Sequence, residues 1–394
     1  MKIYLRLPAV FTAAILCFCL TACGSTQADI TQSGTSAAET AAAEKTETSA
    51  ETTTSANTEA PETTPVSETT PETAPAKESY NDLGVETLAE GIYSLDFRWD
   101  YKLDEYLSAN VKTTEELDRW FMENLTHGLS TEGSEYNIAC SSFAVTDTDG
   151  EHLFCRNYDL RHTDDMFIRT APENGYASIG IVDLAHLNIG QDCEAAIDSA
   201  EAQSLLLAAP YCICDGINEK GLGVSLLQLD TEHFVTDTEK PDLLVYTALR
   251  AMLDRCADTD EAVEFLSAYD IYSPAWWSYH IFITDKSGRA VTVEWLEDGQ
   301  TVVEDNAVTN FVLYEAPPTR DPDGRYFKLR KALDQEEGIS GKEEAMALLE
   351  TVSQKPGTNW SAVYDLDDFS VEACFGLDYE NKYEFDGNSG QADH

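Results

Sequence analysis

The order of elements along residues 80–394 predicts an α+β layered fold rather than a chain of βαβ repeats. Three observations carry this expectation. Composition changes at Tyr80 from low-complexity to aromatic and β-forming residues. From residue 141 onward, strand-like runs dominate. The helices fall in two pairs set between blocks of strands, not one after each strand, and no internal repeat is visible.

Residues 1–22 read as an export leader. Lys2 and Arg6 precede a mostly apolar run from Leu7 to Leu20, too short to span a bilayer comfortably. The run ends in Leu20-Thr21-Ala22-Cys23-Gly24. This resembles a bacterial lipoprotein signal, in which a cysteine after small residues is lipidated and becomes the first residue. Residues 23–79 are then a tether of Thr, Ser, Ala, Glu and Pro without an aromatic side chain up to residue 79. Such a segment cannot bury enough apolar surface to offset its ordering entropy. As a flexible coil it has an r.m.s. span of roughly 40 Å. The expected location is extracytoplasmic, with lipid on Cys23 as the only membrane contact.

About 315 residues remain, enough for one large core or two small ones. The whole chain carries 72 acids against 25 bases. Setting aside ten acids and two lysines in the tether and two bases in the leader leaves 62 against 21, a net of −41. That balance excludes nucleic acid as a partner and excludes charge-driven docking on anionic lipid. Seven of the ten cysteines lie beyond the tether, an odd number for an exported domain. With no CxxC, HExxH, Walker loop or GxGxxG, neither a metal site nor a cofactor is expected.

The elements follow in order. Residues 80–139 are partly helical: Thr113-x-x-Glu116 forms a capping box before Leu117, Trp120, Phe121 and Leu125. Strands are expected at 141–147, 152–159, 177–183 and 222–229. Two helices follow. One covers about 242–255 with Leu243, Tyr246, Leu249 and Leu253 on one stripe; the other starts after Asp258-Thr259. Strands return at 279–285, 289–295 and 300–309, helices at 325–335 and 342–353, and a last hairpin at 360–375 turns at Asp367-Asp368. His280 opens a strand and reads as a core histidine rather than a base. Trp276-Trp277 either line a pocket or cover the core.

The stretch 137–160, NIACSSFAVTDTDGEHLFCRNYDL, reads as a β-hairpin. With a four-residue loop at 148–151, Cys140 lies opposite Asp159; with a three-residue loop, opposite Tyr158. Arg156 lies near the same end. In an ideal strand Arg156 and Asp159 point to opposite faces, so both reach Cys140 only if the strand bends. An arginine beside the sulfur lowers a thiol pKa. A carboxylate near the cysteine nitrogen is useful chiefly if that nitrogen is a free amine, which can serve as base for its own side chain. The plain alternative is a hairpin with a buried structural cysteine and a surface Arg/Asp pair.

The pattern Cys140, Asp149-Gly150, Leu153-Phe154, Arg156-Asn157-Tyr158-Asp159 resembles that of the choloylglycine hydrolase and penicillin V acylase family and its acid ceramidase-like relatives. Asp215-Gly216-Ile217-Asn218-Glu219-Lys220-Gly221-Leu222, Val308-Thr309-Asn310 and Gly324-Arg325-Tyr326 follow in the family's order. The resemblance implies a four-layer αββα N-terminal-nucleophile hydrolase sandwich over 140–394, preceded by a pro-segment at 80–139. It implies Cys140 as nucleophile, Arg156 beside the thiol and Asp159 holding the α-amine. Asn310 corresponds to the oxyanion asparagine and Arg325 to the arginine near the nucleophile. Gln228 stands where bile-salt hydrolases typically have an oxyanion asparagine. The implied reaction is hydrolysis of the linear amide of a small N-acyl compound, after self-cleavage between Ala139 and Cys140. The rival is a non-catalytic surface protein that binds a ligand on the same fold.

Overall fold

The computed structural model describes residues 83–132, 139–160, 162–229, 237–273, 278–314 and 324–393. The leader, Cys23, the tether and Trp276-Trp277 fall outside them.

The chain opens with β1 (Glu86–Ala89) and β2 (Ile92–Phe97), then α1 (Leu103–Ser108) and α2 (Thr114–Asn124). Next come β3 (Ala139–Thr146), β4 (His152–Asp159), β5 (Asp165–Thr170) and β6 (Ser178–Asp183). A short α3 (Ala200–Leu205) runs into a 3-10 turn, Leu206–Tyr211, and β7 (Ile213–Asn218), β8 (Leu222–Leu229) and β9 (Asp242–Leu244) follow. The first helix pair is α4 (Val245–Arg255) and α5 (Thr259–Ser267). Then come β10 (Asp270–Tyr272), β11 (Ser278–Asp285), β12 (Ala290–Leu296), β13 (Gly299–Glu304) and β14 (Ala307–Val308). The second pair, α6 (Arg325–Leu333) and α7 (Gly341–Val352), precedes β15 (Thr358–Asp365), β16 (Ser370–Phe375), β17 (Tyr383–Asp386) and β18 (Gln391–Asp393).

Two large sheets result. One runs β1-β2-β5-β6-β7-β8-β11-β12-β13 and the other β14-β3-β4-β15-β16-β17-β18, while β9 and β10 form a small parallel pair. The apolar residues sort into three cores. Phe154, Phe167, Phe282, Trp360 and Tyr364 fill the space between the large sheets. Val224, Ile281 and Val293 carry the outer face of the nine-stranded sheet against Ala248, Leu249 and Met252 of α4 and Leu266 of α5. Phe143, Cys155 and Val363 carry the outer face of the seven-stranded sheet against Leu329 of α6 and Met346 and Leu349 of α7. The layers are therefore helix, sheet, sheet, helix, as expected. At Gly180 and Gly216, paired across β6 and β7, an added Cβ would lie 2.6 and 2.5 Å from backbone oxygens. A Cβ on Gly216 would also meet Leu253 of α4 at 3.2 Å, so the glycines let sheet and helix close.

The hairpin of β3 and β4 takes the three-residue loop. Asp147 donates its backbone N–H to Glu151, Gly150 sits at φ 94°, and Cys140 pairs with Tyr158, Ala139 with Asp159. The one-residue difference from the four-residue loop decides which face each side chain takes. Arg156 becomes the diagonal neighbour of Cys140 on the inter-sheet face, and Asp159 turns to the opposite face. No bend of the strand is needed.

The segment before Cys140 carries two strands as well as its two helices. β1 and β2 form a tight hairpin at Glu90-Gly91, and β2 pairs in parallel with β5 from Ile92↔Asp165 to Phe97↔Thr170. In α2, Thr113 Oγ1 accepts from Glu116 N at 3.2 Å. The Glu116 carboxylate reaches back one residue further than a capping box does, to Lys112 N at 2.9 Å. Trp120 and Phe121 pack on Tyr211 at centroid distances of 5.8 and 5.4 Å. The segment is thus a full member of the nine-stranded side. Sequence periodicity missed its strands because β2 is buried on both faces and shows no clean alternation.

Candidate active site

Cys140 sits near the start of β3 and is fully buried. Its Sγ lies 2.9 Å from Arg156 Nη2. The backbone N–H of Cys140 donates to Asn310 Oδ1 at 2.5 Å. Asn310 stands just past the end of β14, which pairs with β3 through Val308↔Ser142. Sheet pairing therefore brings a residue 170 positions away to the cysteine nitrogen. Asn310 Nδ2 donates to the backbone oxygen of Gln228 at 2.7 Å. Arg325, the first residue of α6, donates through Nη2 to Asn310 Oδ1 at 2.9 Å and through Nη1 to Asp159 Oδ2 at 2.7 Å. The other Asp159 oxygen accepts from Thr358 Oγ1.

Of the six residues expected at the site, four thus gather around Cys140 through their side chains, some directly and some in relay. The sixth, Gln228, meets it through its main-chain carbonyl. On β8 the Gln228 side chain alternates with Leu227, which faces the other sheet, and pairs across to Tyr279 in the helix-side core. Asp159 makes its contact with the cysteine environment through Arg325, because the register sends its side chain to the α6 face.

The thiol departs from expectation. Burial pushes the Cys140 pKa above its ordinary value; Arg156 pulls it down, the Asp159 charge pushes it up, and the Asp159 main chain and Arg325 add smaller downward pulls. Desolvation wins for a stated reason. Arg156 is itself fully buried and its charge is shared, with Nε 3.4 Å from Asp215 Oδ2 and Nη2 also donating to Leu226 O at 2.6 Å. A guanidinium paired with a carboxylate gives less of its field to a neighbouring sulfur.

Asp215 is the member of the site that sequence reasoning missed. It accepts from Trp360 Nε1 at 3.1 Å and from the Tyr364 hydroxyl. The ladder of β6 and β7 shifts between Ile181 and Val182, skipping Cys214, and both Cys214 and Asp215 come to the inter-sheet space. The signal was present, since Asp215 opens the second motif, but a bulge is invisible to period-two reasoning. The histidine expectation is half met. His280 is fully buried and its Nδ1 lies 3.1 Å from Glu294 Oε1, yet its Nε2 has no hydrogen-bond partner among the described residues.

The site therefore holds a buried cysteine with a cationic neighbour at its sulfur and an asparagine at its nitrogen, the constellation to which the sequence motifs pointed. The comparison with known families agrees. Residues 140–317 match the family described as linear amide C-N hydrolases, choloylglycine hydrolase family. Among solved structures, the chain is similar to a conjugated bile acid hydrolase from Clostridium perfringens (20% identity, 64% of this chain and 93% of that one, TM-score 0.47). It is also similar to penicillin V acylase from Agrobacterium tumefaciens (15%, 63% and 91%, 0.42). A third is the N-acylethanolamine-hydrolyzing acid amidase ortholog of Caenorhabditis elegans (15%, 58% and 93%, 0.38).

Proposed function

We propose that the protein is an exported, lipid-anchored hydrolase of the linear amide bond in N-acyl compounds, with Cys140 as its nucleophile once the Ala139–Cys140 bond has opened. The observation that carries this reading is the convergence of Arg156 on the sulfur and Asn310 on the nitrogen of Cys140, the residue at which the family match begins. Anchoring rests on the leader and Cys23 alone.

The chemistry follows from the contacts. In the uncut chain the Cys140 nitrogen is an amide N–H and cannot accept a proton. Opening the bond turns it into an amine next to the sulfur, and that amine takes the thiol proton. A raised thiol pKa makes such a base necessary. The thiolate adds to the substrate carbonyl. Asn310 Nδ2 carries two hydrogens, one on Gln228 O and the second available for the oxyanion. The C–N bond breaks as the ammonium returns its proton to the leaving amine, and water hydrolyses the thioester. Arg325 holds Asn310 and Asp159 in register and is a positioning residue.

The test is hydrolysis by the purified exported chain of a panel of chromogenic acyl amides of increasing acyl length, with penicillin V, a glycine-conjugated bile salt and an acyl-homoserine lactone beside it. Release that vanishes in Cys140→Ala supports the reading. No release from any member, with a folded protein, overturns it in favour of ligand binding.

A further inference from the structure

The segment that carries Asn310 is held by two anchoring systems, and only one of them belongs to the reacting constellation. On one side lie Cys140 N, Gln228 O and Arg325. The other begins three residues later in the chain. Leu313 donates its backbone N–H to Glu294 Oε1 at 2.7 Å, and Tyr314 donates to Glu294 Oε2 at 3.0 Å. Two successive backbone N–H groups converging on one carboxylate form an anion-holding nest. Glu294 lies in β12 and is fully buried. A carboxylate there needs partners, and besides the two amides it has His280, whose Nδ1 lies 3.1 Å from Oε1. Burial would raise the Glu294 pKa, but His280 and the two amides bring it below its ordinary value, so the group is charged.

We propose that Glu294, held by His280, is the positioning residue that fixes the 309–314 loop and thereby aims Asn310 at Cys140. This rests on the reading of Asn310 as a working residue given above. Beyond the bonds of Asn310 itself, the described contacts of the loop are mostly packing: β14 ends at Val308, Thr309 and Leu313 are buried, Phe311 packs edge-on to Tyr326 at 5.3 Å, and Tyr314 is exposed. A carboxylate two strands away in the other sheet ties that loop to the inter-sheet space. A shift of about 1 Å at a positioning contact can cost about a hundredfold in rate.

The decisive variant is Glu294→Gln. It keeps shape and volume, but one of the two oxygens becomes an NH2 that faces a backbone N–H, donor against donor. The expected result is a fall in kcat of about 10- to 100-fold with KM unchanged, together with faster hydrogen exchange at Leu313 and Tyr314. Glu294→Gln is then combined with Asn310→Ala. If Glu294 acts through Asn310, its effect disappears in that background; two losses that multiply fully would overturn the proposal. If Asn310→Ala lowers kcat and Glu294→Gln does not, the proposal fails and the functional reading stands. If Asn310→Ala has no effect, both fall. If the wild type turns over none of the amides, exchange decides, and unchanged protection of Leu313 and Tyr314 in Glu294→Gln overturns the staple. Should Glu294→Gln not fold, His280 serves in its place. His280→Asn presents an amide donor where Nδ1 stood and should keep kcat within about threefold, whereas His280→Leu should match the loss expected of Glu294→Gln. Equal loss in both would overturn the proposal.

Discussion

Arg156 is shared between Cys140, whose sulfur lies 2.9 Å from Nη2, and Asp215, whose carboxylate lies 3.4 Å from Nε. The buried arginine is thus divided between a thiol and a counter-ion, and the thiol pKa reports the division. Asp215→Asn removes the competing charge. We expect the pH profile of Cys140 alkylation by iodoacetamide, measured on the protein after the chain break, to move to lower pH. Stability should fall by about 3–5 kcal/mol, since one partner of a buried pair is lost. An unmoved profile would show that Asp215 does not compete for Arg156.

Arg156→Ala should move the same profile to higher pH, because burial of the sulfur then acts without its principal cationic neighbour and only the smaller pull of Arg325 remains. Arg156→Lys should restore part of the shift only. A point charge cannot serve Cys140, Leu226 O and Asp215 together as the guanidinium fork does. Full restoration by lysine would mean that charge alone matters.

How far the sequence led can be judged at these residues. Layer order was legible from Leu249 and Leu253 on one stripe of α4 and from Val291, Val293 and Trp295 alternating with Thr292 and Glu294 in β12; β12 is buried on both faces, but polar residues on its inter-sheet side keep the period of two visible. Cys140, Arg156, Asn310 and Arg325 were reachable through motifs. What decides the electrostatics was not. Asp215 turns inward at a bulge, and the face taken by Asp159 hangs on a one-residue choice of loop. Glu294 shows in sequence only as a lone charge between Val293 and Trp295, a signal that points to burial without naming a partner.

Acid should expose the Glu294 staple. Its pKa in the folded protein lies below the ordinary carboxylate value, so the stability it contributes is fully present above that value and is lost as pH falls through the folded one. Thermal melts of wild type and Glu294→Gln should therefore differ most near neutrality and converge as pH drops below the ordinary carboxylate range. A difference that stays constant across that range would mean the carboxylate charge is not what holds the loop.

Cys23→Ala should abolish anchoring, since a lipid chain would have no attachment point. Cell fractionation should find the variant in the medium or as an uncut leader-bearing form. Retention in the membrane with the leader removed would refute lipidation at Cys23.

The chain break is the prediction on which the mechanism depends. Cys140 has 139 residues before it, so removal of an initiator methionine cannot free its nitrogen. We expect the Cys140 thiol to attack the Ala139 carbonyl, shifting the acyl group from nitrogen to sulfur, and water to hydrolyse the resulting thioester. The product, residues 140–394, holds 255 of 394 residues, roughly 28 kDa scaled from 43.5 kDa. The released N-terminal piece should stay bound. β2 remains hydrogen-bonded along β5, and Trp120 and Phe121 remain packed on Tyr211. Both pieces should co-elute in gel filtration and separate only in denaturant. Trp120→Ala should weaken that association by about 3–5 kcal/mol. Cys140→Ala should give one uncut, inactive chain, and Cys140→Ser a slow cut. N-terminal sequencing of active protein decides the matter: an active chain with no amine at Cys140 removes the free-amine mechanism, and a cut at another bond moves the nucleophile elsewhere.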